Sequence, residues 1–214
     1  MDPTDYASTE LTREHLGAVD VLRYAKNAFF SLALVAILLH VAAWIVVAHT
    51  DTLGPLLPSA ASGMSAAPTD AQIGSARRWE SVLQSSLTLG GFVGRASVLA
   101  LCGVYVLALL ISLSARLGGA AHLTRAFVWS LAALAMLVPW LHAPQEALTT
   151  YTAFYGMEEL SRSAAADGGF LTVVRFLFCP LLVALFLVIA QVRFRNAFTQ
   201  ITAAPGAKLS LREL

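Results

Sequence analysis

The sequence predicts an all-α integral membrane protein, a four-helix bundle with short amphipathic helices in its outer loops. Three observations carry that prediction. First, 13% of the 214 residues are charged and 57% are hydrophobic, against about 25% and about 45–50% in ordinary soluble domains. With a mean hydropathy of +0.70, a water-facing surface made from this chain would carry large apolar patches. Second, four uncharged stretches approach or exceed the ~20 residues needed to cross the hydrocarbon core as helix. Third, no alternating ten-residue pattern of a barrel strand occurs, so backbone groups in lipid must be satisfied within helices. The same composition excludes intrinsic disorder. A formal net charge of +1 leaves no basic surplus for nucleic acid.

Residues 1–26 form an N-terminal segment in which Leu11, Leu16, Val19 and Leu22 recur among Glu10, Arg13, Glu14, Asp20 and Arg23. This spacing predicts a surface or partner-facing helix that precedes the first span. Span one covers 27–50, between Lys26 and Asp51. It begins too far from the N-terminus and runs too long for a signal peptide, so it is expected to remain in the protein. Residues 51–91 form an outer loop, first rich in Pro, Gly, Ser and Ala. Thr69 and Gln72 then make a capping-box pattern, and Ile73, Ala76, Trp79, Leu83 and Leu87 follow at helical spacing. A short amphipathic helix lying at the outer interface is expected there.

Span two covers 92–115, its uncharged run starting after Arg95 and ending before Arg116. A short loop over 116–122 leads to span three, 123–143. The second outer loop, 144–168, is helix-like, with Leu148, Tyr151, Phe154 or Tyr155, Glu158 and Glu159. Together with Glu146 and Asp167 it is the most acidic part of the chain. Span four covers 169–192, and the tail 193–214 is read as extended around Pro205-Gly206. Pro139 and Pro180 predict kinks in spans three and four. Cys102 and Cys179 lie inside apolar runs without partners at metal-ligand spacing and read as packing residues.

Flanking charge sets the expected threading. One side holds Arg13, Arg23, Lys26, Arg116, Arg125, Arg193, Arg195, Lys208 and Arg212, whereas the other holds Arg77, Arg78, Arg95 and Arg162. The positive-inside rule puts both termini in the cytoplasm, in a bacterial inner membrane.

Few residues suggest chemistry. His40 lies inside span one, where an ionisable group is costly and functional by default. At equal predicted depth Tyr105, or a hydroxyl such as Ser130, could hydrogen-bond it, which would make it a packing residue. Alternatively His40 contacts a quinone or ligates a haem. His49 and His142 both fall near the outer surface and could clamp one b-type haem from two helices; equally, His142 sits in an interfacial belt beside Trp140. Arg175, inside span four, is expected to snorkel to the outer headgroups, or else to pair with Glu158, Glu159 or Asp167. Gly90, Gly94, Ala96 and Ala100 line a small-residue stripe for close helix approach.

Motifs for serine hydrolases, zinc proteases, nucleotide phosphates and dithiol chemistry do not occur. The spans contain no Asp or Glu, and inverted repeats with broken helices are missing, which disfavours a transporter or channel. The expected role is a non-catalytic accessory or scaffolding subunit whose partners are the lipid bilayer and other membrane subunits. The alternative is a haem- or quinone-binding electron-transfer subunit using His40 or the His49/His142 pair.

Overall fold

The computed structural model describes residues 3–50, 69–114, 119–137, 153–165 and 170–203. Among them every regular element is helical: α1 (Pro3–His49), α2 (Asp70–Ser114), α3 (Ala120–Leu137), α4 (Met157–Ala165) and α5 (Phe170–Val173). A π-helical turn (Val174–Phe178) then leads directly into α6 (Cys179–Ala203). Four segments are long and apolar enough to cross a membrane: Asp20–His49, Asp70–Ser114, Ala120–Leu137 and Phe170–Ile201.

Two boundaries differ from the sequence expectation. The N-terminal helix does not stop before span one, because α1 runs unbroken through Lys26. Likewise the outer amphipathic helix and span two are one helix of 45 residues. Its start carries one half of the capping box read from the sequence: the Thr69 amide donates to Gln72 Oε1 at 2.9 Å, the Thr69 hydroxyl donates to the same oxygen at 3.1 Å, and the Ile73 amide opens the helical ladder on the Thr69 carbonyl at 3.0 Å. Gly90, Gly91 and Gly94 do not break it, since helical glycine costs only about 1 kcal/mol relative to alanine and close packing recovers that.

The chain divides into two compact units. Unit 1 comprises Met1–Ser31, Ser97–Leu134 and Leu185–Leu214. On α6 its core residues Leu187, Ala190, Phe194, Ala197 and Ile201 recur every three or four positions, while Leu185, Val188 and Val192 point outward. Phe194 meets Tyr105 with ring centroids 5.5 Å apart, and Lys26 Nζ lies 4.5 Å above the same ring. Arg23 similarly covers Phe198 at 4.9 Å, and Gln191 donates to Asn27 at 3.1 Å. Gly119, at φ +89°, makes the turn into α3; a Cβ there would also sit 2.8 Å from the Ala197 carbonyl oxygen. Cys102 is buried and donates to Ser130 Oγ at 3.4 Å, in keeping with a packing role.

Unit 2 comprises Leu32–Ala96 and Ala135–Ala184. Ala33, Ala36, His40, Ala43 and Val47 form the buried stripe of α1, and Ala76, Leu83, Leu87, Gly91 and Gly94 that of α2. Leu83, Leu87, Ala43 and Val47 close a cluster with Tyr155, Leu160 and Phe176. In both units the outward helix faces are apolar, with Val35, Leu89, Phe92, Leu110 and Leu181 all exposed.

The irregularity in the last long helix is the π-turn, immediately before Pro180. Proline lacks an amide and its ring crowds the carbonyl four residues back, Phe176. The turn widens the helix at that place, and the Cys179 amide closes it on the Val174 carbonyl. The described part of α3 ends at Leu137, so the expected kink at Pro139 lies outside the described residues, as do the expected loop helix over 146–152 and the tail beyond Ala203.

Candidate functional site

The polar interior of unit 2 is built around His40. Its position on α1 faces Gly90 and Gly91 of α2, where a Cβ on Gly90 would lie 3.3 Å from the imidazole Cε1. Two successive glycines therefore make room for the ring. Nδ1 is 2.8 Å from the Ala36 carbonyl oxygen, one helical turn back, so Nδ1 carries the proton and donates. Nε2 is then a lone-pair acceptor, and among the described residues it has no partner. It faces the Gly91 backbone, at 3.7 Å from where a Cβ would stand.

The rest of the enclosure comes from the segment between α3 and α4. Phe154 and Tyr155 are buried, and their rings lie 4.5 Å and 5.3 Å from His40. The Tyr155 hydroxyl donates to the His40 carbonyl. One side chain thus anchors this segment to the backbone of α1. Burial pushes the Tyr155 hydroxyl above its ordinary range of ionisation, with the Trp44 amide a smaller opposing effect. The phenol stays protonated and remains a donor. Phe176 stands edge-on to Tyr155 at 4.5 Å and parallel to Trp44 at 6.4 Å.

Next to this aromatic group, Arg175 of the π-turn pairs with Glu159 of α4 at 2.5 Å. The arginine side chain is 10% exposed and the glutamate 32%. Snorkelling of Arg175 to headgroups is therefore overturned: a fixed carboxylate on the neighbouring helix competes successfully with water. Its guanidinium also lies 5.3 Å from the Phe176 centroid.

The pairing expected for His40 is not found either. Tyr105 and Ser130 belong to unit 1, where Tyr105 stacks on Phe194 and Ser130 donates to the Phe127 carbonyl at 2.8 Å. Equal depth does not follow from the uncharged run that begins at Ala96, because α2 extends back to Asp70 and brings Gly90 and Gly91 to His40. His49 ends α1 exposed, and His142 lies outside the described residues. Gly90 and Gly94 pack closely, but against Leu39, His40, Ala36 and Phe154 of the same unit; Ala96 is exposed and Ala100 half-buried. The glycine face is thus already covered by this chain.

Sequence reasoning missed Phe154, Tyr155, Trp44 and Phe176 as neighbours of His40. The signal was Tyr-Thr-Ala-Phe-Tyr-Gly, an aromatic cluster inside an acidic loop; its alternation with Glu158 and Glu159 suggested one amphipathic helix, but α4 starts only at Met157.

Chemically, the cluster holds an imidazole, a phenol donor and a paired guanidinium. Among the described residues no group of three His, Cys, Asp or Glu side chains could hold a metal ion. Replacing His40 with leucine should cost about 1 kcal/mol, the scale of one intramembrane hydrogen bond. Thermal unfolding of the detergent-solubilised protein measures this, and a loss of several kcal/mol would show that the packed ring contributes more than its one bond. Comparison with protein-family models, curated proteins and solved structures finds no match to this chain.

Proposed function

We propose that this chain is a four-span integral membrane protein that serves as a non-catalytic accessory or scaffolding subunit of a larger complex. In this reading it sits in a bacterial inner membrane with both termini cytoplasmic. The observation that supports it is where the interior polar groups go. His40, Tyr155 and Ser130 all bond to backbone carbonyls, and Arg175 bonds to Glu159. The Tyr155 and Arg175 bonds tie separate elements together, the His40 and Ser130 bonds close on their own helices, and the outward faces are apolar enough to meet lipid or other helices.

A second reading, a haem- or quinone-binding electron-transfer subunit, is favoured by one feature, the unpartnered Nε2 of His40. Its ring is enclosed by Gly90, Gly91 and Phe154, which argues for packing instead. A visible absorbance spectrum of the purified protein decides between the two. No Soret band is expected, and a band lost in His40→Leu at unchanged protein level would establish the second reading.

The threading makes its own prediction. Cysteine introduced at Ser62 or Ala165 should react with an impermeant thiol reagent in intact spheroplasts, and cysteine at Ala207 should react only after lysis. Labelling of position 207 in intact spheroplasts would reverse the orientation.

A further inference from the structure

Arg95 marked the edge of span two in the sequence; the packing of unit 2 puts it elsewhere. A Cβ on Gly94 would stand 3.0 Å from the Ala36 Cβ, so α2 at Gly94 is level with Ala36 of α1. Ala36 lies ten residues from Lys26 and thirteen from His49, which is about 15 Å and about 20 Å along the helix. Arg95 therefore sits near the middle of the uncharged window, not at its end. It is exposed, on a flank of α2 beside exposed Phe92 and Ala96, and no hydrogen bond or ion pair joins it to another described residue.

Such a charge is costly when it faces lipid. The half-thickness of the hydrocarbon, about 15 Å, exceeds the reach of an extended arginine side chain. The apolar runs of the sequence hold no acid. No Asp or Glu occurs between Asp20 and Asp51, between Glu80 and Glu146, or between Asp167 and Glu213. Glu80, the nearest acid on α2, is fifteen residues and about 22 Å away. A second copy of this chain lacks an intramembrane acid for the same reason.

We propose that Arg95 is the docking residue for a different membrane protein, a transmembrane helix carrying an Asp or Glu at mid-bilayer depth that lies along Leu89, Phe92 and Ala96 of α2. The proposal rests on the subunit reading above and names the chemistry of the partner. Charge complementarity selects the occupant: an arginine guanidinium and a carboxylate form a strong two-point pair where water is excluded. The exposed apolar side chains at 89 and 92 supply the surrounding contact.

The test uses the full chain in its native membranes, with a photo-cross-linking amino acid at Leu89. Sequencing of the cross-linked peptide should find an apolar segment of another protein containing Asp or Glu. Arg95→Leu should reduce that cross-link by about thirty-fold or more, because it leaves the partner's carboxylate buried without a cation. Combining Arg95→Leu with the amide form of the partner's acid should restore most of it. Glu146→Gln, which removes an acid outside the described residues, should leave it unchanged. A cross-link only to lipid or to a second copy, a peptide lacking an acid, indifference to Arg95→Leu, or loss in Glu146→Gln would each overturn the proposal. Alkaline carbonate extraction of the same membranes separates the two levels. Release of the chain overturns the membrane reading and this inference together, whereas retention without an acidic cross-link overturns the inference alone.

Discussion

Gly94→Leu should prevent unit 2 from packing, and even Gly94→Ala should destabilise it. A Cβ at this position runs into the Phe154 ring and stands 3.0 Å from the Ala36 Cβ. Neither the ring, held between His40 and α2, nor the helix backbone carrying Ala36 can move cheaply. Overpacking of this kind typically costs about 1–3 kcal/mol, more than the ~1 kcal/mol that alanine gains over glycine in a helix. Gly103 supplies the matched control, since a Cβ there meets nothing within 4 Å. Gly103→Ala should therefore stabilise, by about 0.5–1 kcal/mol. Thermal unfolding in detergent should give opposite signs for the two alanine variants. Gly94→Ala combined with Phe154→Ala should cost less than the sum of the two single effects, because the second change removes the obstructing ring. Equal effects at positions 94 and 103 would mean that Phe154 does not lie on this face.

The second large effect is expected at the Arg175–Glu159 pair. Glu159→Leu leaves a guanidinium that is 10% exposed without its carboxylate. Breaking a buried pair from one side costs about 3–5 kcal/mol, and the partial exposure of Glu159 puts this case at or below the lower end, about 2–3 kcal/mol. The double variant Arg175→Met with Glu159→Leu should be far less destabilised than Glu159→Leu alone, since no orphan charge remains. The same unfolding assay reads both. If the double variant is as unstable as the sum of the singles, the pair contributes through packing of its stems rather than through its charges.

Charge and length made the helices legible. Lys26, Arg125 and Arg193 bound apolar runs whose only compatible structure in lipid is helix, and Thr69 with Gln72 marked the start of α2. Depth was harder to read. A charged residue usually marks the end of a span, so Arg95 reads as a boundary, whereas the close approach of Gly94 to Ala36 shows that α2 continues past it. That single shift of register removed Tyr105 from His40 and put Gly90 and Gly91 in its place. Phe154 and Tyr155 were invisible for a different reason. Their contacts with His40 span more than a hundred residues, and loop aromatics carry no periodicity from which such a contact can be inferred. The ion pair of Arg175 had Glu159 among its candidates, but choosing among three acids needed the turn at Val174–Phe178.

That the chain belongs to a larger membrane assembly is tested most directly by the protein mass of the particle released from native membranes by a mild detergent. A particle well above the 22.8 kDa of one chain, containing a companion protein in fixed ratio, is the expected result. A stable, monodisperse species holding one copy of this chain and no companion would contradict it.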